Sequence, residues 1–287
     1  MVTTVSLIAI KISVALLIMA IGLGARLTDA SFLLRRPGLL LRSVLAMYVL
    51  VPLTSFALAK LLPLTGSMRA ALLVLAVSAG APLLPRKLQA YGNGAFSFSL
   101  VVISSLLAIV LAPAWLALFA RHFGAPTLIS VRDVASAIAI TFLAPLLAGM
   151  VAGRFFPALA DRYASRISAI AGLVLALGAV VLLGAHWRML AEIDLIGLVA
   201  LLLLVTIATL IGHVCGGPSE GNRTTLAIAC ATRHLGVAVI IATAFPGPRV
   251  VVILACYLLT SAIISLPYLR WRRRVAEAAA ASHRQLA

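Results

Sequence analysis

Apolar stretches of about twenty residues recur along the whole chain, separated by short runs of Pro, Gly and charge. They occupy residues 5–23, 39–62, 69–90, 95–120, 134–154, 167–185, 193–215, 224–245 and 250–268. About 20 mainly apolar residues carry a helix across the hydrocarbon core of a bilayer. Barrel strands would instead alternate apolar and polar positions over roughly ten residues, and runs such as GLVALLLLVTIATLIG (197–212) do not alternate. The pattern predicts an all-α, polytopic membrane protein: about nine spans in one transmembrane domain over 1–287.

Two spans are interrupted. The third carries Gly80-Ala81-Pro82-Leu83-Leu84-Pro85-Arg86-Lys87, where two prolines remove backbone donors and break a helix. The eighth carries Thr232-Arg233-His234-Leu235-Gly236, two ionisable side chains before a glycine at mid-span. The two interruptions are five spans apart, and that odd offset turns the second copy upside down relative to the first. Spans one to four then match six to nine, leaving the fifth unpaired: a 4+5 inverted repeat, about 5–120 and about 134–268. Matched interruptions in inverted repeats point to the substrate site of a secondary transporter.

Composition sharpens the class. The chain is 63% hydrophobic and 10% charged with mean hydropathy +1.18, against about 45–50% and 25% in soluble domains. This excludes a soluble enzyme, a nucleic-acid binder or a disordered chain, despite a net charge of +16. Cys215, Cys230 and Cys256 show no CxxC spacing, so no disulfide framework, metal site or cofactor is expected. No Lys or Arg precedes the first apolar run, and that run contains Lys11, so it reads as a retained helix rather than a leader.

Basic residues set the orientation. Arg26, Arg35, Arg36, Arg42, Arg154, Arg162, Arg166, Arg223 and the tail at 270–287 fall on one side, against Lys60, Arg69, Arg121, Arg132, Arg188 and Arg249 on the other. The first side is expected to be cytoplasmic, with the N-terminus outside and the C-terminus inside, in a plasma membrane or bacterial inner membrane. The WRRR segment at 271–274 reads as an anchor against lipid headgroups.

At this point the sequence resembles the bile acid:sodium symporter family. The segment MAIGLGARLTDASFLLRRPGLLLRSVLAMYVLVPLTSFALAKLLPL (19–64) follows the family's early order: a glycine-rich helix end, a basic loop with a proline, then a proline-bearing helix. TLAIACATRHLGVA (225–238) resembles its second broken-helix signature, and the likeness runs over nearly the whole chain. The resemblance implies a core domain with two crossed, broken helices and a panel domain rocking against it. Relative to ten-helix members the first helix is lacking, which agrees with the 4+5 repeat.

The departures from that family fall on its sodium site. Where sodium-coupled relatives carry a Glu and, four residues on, a Gln, this chain has Ala229 and Arg233, followed by His234 and Leu235. Met47 stands in place of an early Gln, PLLPRK (82–87) replaces a Ser/Asn pair, and Ser97 is kept while the next hydroxyl becomes Val101. All seven carboxylates (Asp29, Asp133, Asp161, Glu192, Asp194, Glu220 and Glu277) fall in loops, helix ends or the tail. By contrast Arg86, Lys87 and Arg233 fall near the crossover, where an unpaired charge costs about 2.5–3.5 kcal/mol.

Three partners could neutralise those cations: carbonyls freed at the breaks, half-helix C-termini, or an anion from outside. Arg233 either grips an anion or fills the lost ion pocket as a fixed cation, and both roles can hold together. The candidate substrate-binding residues are Arg233, His234, Arg86, Lys87, Asn93 and Ser97, with Ser99 on the same wall. His234 offers a route for proton coupling. Lys11 and Arg42 are expected to snorkel, and Ser104 and Ser105 to bond back to their own helix. The expected function is secondary transport of a small organic anion by alternating access. The alternatives are a non-transporting scaffold or sensor on the same fold, or a sodium symporter with an atypical ion site. An enzyme is not expected, because HExxH, GxSxG and intramembrane acids are all missing from the sequence.

Overall fold

The computed structural model describes residues 2–24, 31–79, 92–123, 131–191, 193–242, 245 and 248–285. Its helices are α1 (Val2–Leu23), α2 (Pro37–Leu61), α3 (Gly66–Val77), α4 (Gly94–Phe123), α5 (131–155), α6 (Pro157–Ala185), α7 (Trp187–Ala191), α8 (Leu195–Cys215), α9 (Glu220–Ala231), α10 (Leu235–Ala242) and α11 (Arg249–Gln285). No strand occurs among the described residues. Among the described residues, five helices are each long and apolar enough to cross a membrane: α2, α4, α6, α8 and Arg249–Ala278 of α11. Shorter apolar helices lie at Ile8–Leu23, Gly66–Val77 and Ala139–Phe155. The protein is an all-α, polytopic integral membrane protein.

Local chemistry places the helix ends. Thr65 caps α3 by accepting from the Met68 N–H at 3.3 Å, and Asp194 caps α8 by accepting from Gly197 at 3.0 Å. Pro37 and Pro157 open α2 and α6, where a missing N–H leaves no intrahelical bond unmade. α2 and α5 each contain one π-helical turn, Ala46–Leu50 and Ala139–Leu143, just before Pro52 and Pro145. Pro52 has no N–H to offer the Tyr48 carbonyl four residues earlier. The indole of Trp115 on α4 donates to that carbonyl at 2.8 Å instead.

Two GxxxG spacings set the closest helix contacts, as small residues do in membranes. A Cβ on Gly149 of α5 would lie 2.1 Å from the Met19 carbonyl oxygen of α1, and one on Gly153 would lie 2.4 Å from that of Leu23. Likewise, a Cβ on Gly212 of α8 would lie 2.4 Å from the Leu226 carbonyl oxygen of α9. So α1 is wedged between α5 and α6, while α8 and α9 form a second tight pair with α2, α3 and α11 around them. The two groups touch where α6 runs along α11 and where the start of α5 meets α10.

Basic residues collect at the two ends of the bundle as the sequence grouped them. Arg42, Arg223 and Arg272 gather around Gly217 and Glu220 at one end. At the other, Arg69 lies over Phe123, and Arg249 lines a recess with Thr65 and Asp194. The C-terminal segment departs from the expected anchor. α11 runs on through VAEAAAAS (275–282), a strong helix-forming stretch, to Gln285. Arg272 is buried, its Nε donating to Thr224 Oγ1 at 2.9 Å and its Nη2 bonding the Glu220 carbonyl and carboxylate.

Candidate functional site

α9 stops at Ala231 because Thr232 turns extended, and the chain resumes as helix at Leu235. α3 stops at Val77, with Ser78 as its cap residue. The two stops meet: the backbone N–H of His234 donates to the Ser78 carbonyl at 2.9 Å. This bond joins the second break to the end of the first broken segment. Gly80, Pro82, Pro85, Arg86 and Lys87 lie outside the described residues.

Near the ends of α3 and α9, side-chain hydroxyls add a second bond to two carbonyls that already accept a backbone N–H, and supply both bonds of a third. The Val74 oxygen accepts from both N and Oγ of Ser78, at 3.1 and 2.7 Å. The Ile228 oxygen accepts from N and Oγ1 of Thr232, at 2.9 and 2.8 Å. The Ala231 oxygen accepts from the hydroxyls of Tyr257 and Ser261, both on α11, at 2.7 and 2.9 Å. A carbonyl has two lone pairs, so each of these three is filled.

Between these filled carbonyls lies Arg233, 3% exposed. Its charge reaches the hydroxyls of Tyr48 and Tyr257 and the thiol of Cys230. The Tyr257 oxygen stands beside the guanidinium, but its own proton goes to Ala231. None of the three guanidinium nitrogens completes a hydrogen bond among the described residues. The Tyr48 hydroxyl likewise spends its own proton elsewhere, donating it to the Ser104 carbonyl.

His234 adds a second unused donor. Fully buried, it caps α10, its Nδ1 accepting from the Val237 N–H at 3.3 Å. An accepting Nδ1 assigns the ring proton to Nε2, and Nε2 has no partner among the described residues. The ring packs edge-on against Phe142 in the π turn of α5, centroids 5.8 Å apart. Buried donors without acceptors are costly, about 1–3 kcal/mol each and more when charged. Two such groups on adjacent residues bring buried donors and positive charge together at this helix break.

The other sequence candidates are placed elsewhere. Asn93 caps α4, its Oδ1 accepting from the Phe96 N–H at 3.0 Å. Its Nδ2 donates to Asn222 Oδ1 and its backbone N–H to Thr225 Oγ1, which ties it to the first half of α9. That is about 16 Å along the helix from Arg233, at 1.5 Å per residue. Ser97, 4% exposed, follows one turn into α4. Ser99 Oγ accepts from the Leu33 N–H at 3.0 Å. Ser104 bonds back to Val101, whereas the Ser105 hydroxyl has no partner among the described residues. Sequence reasoning did not single out Tyr48, Phe142, Tyr257 or Ser261. The i, i+4 spacing of Tyr257 and Ser261 was the available signal, since it places both hydroxyls on one face of α11.

Three of the positions that the family resemblance links to sodium carry no side-chain oxygen: Met47, Val101 and Ala229 are buried at 1%, 3% and 0% exposure. Hard cations require several oxygen ligands, and three of the carbonyls at these helix ends, Val74, Ile228 and Ala231, already accept two hydrogen bonds each. No cluster of metal-ligating residues occurs among the described residues. Three of the acids are engaged elsewhere: Glu220 is held by Arg272 and Arg223, Asp194 caps α8, and Glu277 pairs with Arg273. Asp29 and Glu192 lie outside the described residues.

No curated protein matches the sequence. The sequence model of the sodium bile acid symporter family matches residues 11–193, from within α1 to the start of α8, ahead of the segment that carries Arg233. The chain belongs to the sodium bile acid symporter family and is a membrane transporter of that type.

Proposed function

We propose that this protein moves a small organic anion across the membrane by alternating access, without sodium, and that Arg233 is the anion's anchor. One observation carries the reading: the guanidinium is buried, with the Tyr257 hydroxyl oxygen beside it and no hydrogen bond completed among the described residues, while the nearby Ala231 carbonyl is taken by the hydroxyls of Tyr257 and Ser261. A guanidinium fork with free N–H groups suits a carboxylate, sulfonate or phosphate, which accepts two parallel hydrogen bonds. The Nε2–H of His234 supplies a third donor.

Sodium is disfavoured by the same charge. A cation about 4 Å from Arg233 is repelled by roughly 4 kcal/mol at an effective dielectric near 20, almost a thousandfold in affinity at 1.4 kcal/mol per factor of ten. Proton coupling through His234 is disfavoured as well. Protonating Nδ1 would remove the cap of α10, worth about 1 kcal/mol, and add a second buried cation.

The arrangement of helices supports the rocking-domain reading. α1, α5 and α6 correspond to the panel; α2, α3, α4, α8, α9, α10 and α11 correspond to the core. Phe142 against His234 is the panel's contact with the crossover. Pro113 and Pro267 each lie about five turns from the start of α4 and α11, partners in the inverted repeat. The Lys/Arg distribution favours a cytoplasmic C-terminus.

The test is uptake into proteoliposomes of a panel of carboxylates, sulfonates and phosphates, with sodium replaced by choline at fixed pH and membrane potential. Uptake is expected to be unchanged by the replacement. A severalfold drop that millimolar sodium restores contradicts the proposal.

A further inference from the structure

We infer that the carrier works by obligatory exchange: it turns between its two orientations only with an anion on Arg233, so one anion leaves for each that enters. The inference rests on the anion reading above and adds the mode of coupling. During reorientation the site must pass through a state closed to both sides, where water cannot stabilise a charge. With an anion bound, guanidinium and anion form a neutral pair. Without one, a bare cation must be carried through.

A carrier that binds a dissolved cation can release it and return neutral. Arg233 is covalently attached and cannot leave. No carboxylate is paired with Arg233 among the described residues: Glu220 is held by Arg272, Asp194 caps α8 and Glu277 pairs with Arg273. The Ile228 and Ala231 carbonyl oxygens at the end of α9 are taken by Thr232, Tyr257 and Ser261. Leaving a buried charge unpaired is the costly half of breaking an ion pair, and that cost falls on the return of the unloaded carrier alone.

The experiment has two arms. The purified protein is first screened by thermal shift against benzoate, benzenesulfonate, phenyl phosphate, taurocholate and sulfate. The tightest binder, radiolabelled, is then offered to proteoliposomes that contain either the same anion unlabelled or a panel anion that gave no shift, with potassium and valinomycin clamping the potential. Uptake is expected to be at least tenfold faster into liposomes holding the binder. In Arg233→Gln, which keeps a polar side chain but removes the charge, whatever uptake remains should be equal in the two preparations. Equal rates in the wild-type protein, or binding without uptake in either preparation, overturn exchange and leave the anion site standing. No thermal shift with any anion overturns the anion reading and exchange with it.

Discussion

Replacing Tyr257 by Phe and Ser261 by Ala in one variant strips both donors from the Ala231 carbonyl. In the wild-type protein those donors sit at 2.7 and 2.9 Å and fill the oxygen. The guanidinium of Arg233, already beside the Tyr257 hydroxyl, is the nearest group able to replace them. Each lost hydroxyl bond costs about 1 kcal/mol, while a bond from a charged donor contributes about 1.5–3 kcal/mol. Net stability should therefore change little. Anion binding should change a great deal, because the anion must now compete with an internal acceptor. The same 1.5–3 kcal/mol translates to a roughly 10- to 150-fold weaker affinity. The assay is stabilisation by anion in detergent. At one hundred times its dissociation constant an anion stabilises by about 2.7 kcal/mol; after a thirtyfold loss of affinity the same concentration gives about 0.9 kcal/mol. A double variant that binds the anion as tightly as wild type would refute the claim that these hydroxyls keep Arg233 free.

Two further outcomes test the packing and the end cluster. Gly149→Val drives a Cβ to within 2.1 Å of the Met19 carbonyl and should lower stability by about 2 kcal/mol or more. Gly172→Ala, where a Cβ meets nothing within 4 Å, should gain about 0.5–1 kcal/mol; equal melting temperatures for the two would contradict the GxxxG contact. At the Arg272 end, the hydrogen bond from Arg272 holds the Glu220 carboxyl below the usual carboxylate range, aided by the charges of Arg272 and Arg223. A depressed pKa means the contribution is complete above the unfolded value of about 4.3 and is lost as pH falls through the folded value. Melting temperatures of wild type and Arg272→Gln should therefore converge between about pH 5 and pH 3, and a gap constant over that range would contradict the pairing.

The membrane architecture was legible because hydropathy is a dense signal, repeated at every residue of every span. The second break was legible for the opposite reason: Arg233 and His234 violate that signal where a violation is expensive. What the sequence concealed was which hydroxyls reach across. Thr260 bonds back to Cys256 on its own helix, whereas Ser261, its neighbour, crosses to Ala231. One rotation step on α11 decides between them, and hydropathy does not encode it. Asn93 was read as a wall residue after the first break, and the structure instead engages its backbone N–H, amide nitrogen and amide oxygen with α9 and the cap of α4. Arg272 was grouped with the exposed basic tail because composition shows charge and not facing. Continuation of α11 past 268 puts this one arginine on the side that meets α9.

The most direct test of the account is calorimetric titration of the strongest-binding anion of the panel into wild type, Arg233→Lys and Arg233→Gln, with and without sodium. Saturable binding to the wild-type protein should be indifferent to sodium. It should weaken by about tenfold in the lysine variant, which keeps the charge but loses the two-pronged grip, and vanish in the glutamine variant. Binding that survives intact in Arg233→Gln, or that tightens when sodium is added to the wild-type protein, would contradict the assignment of Arg233 as the anion's anchor.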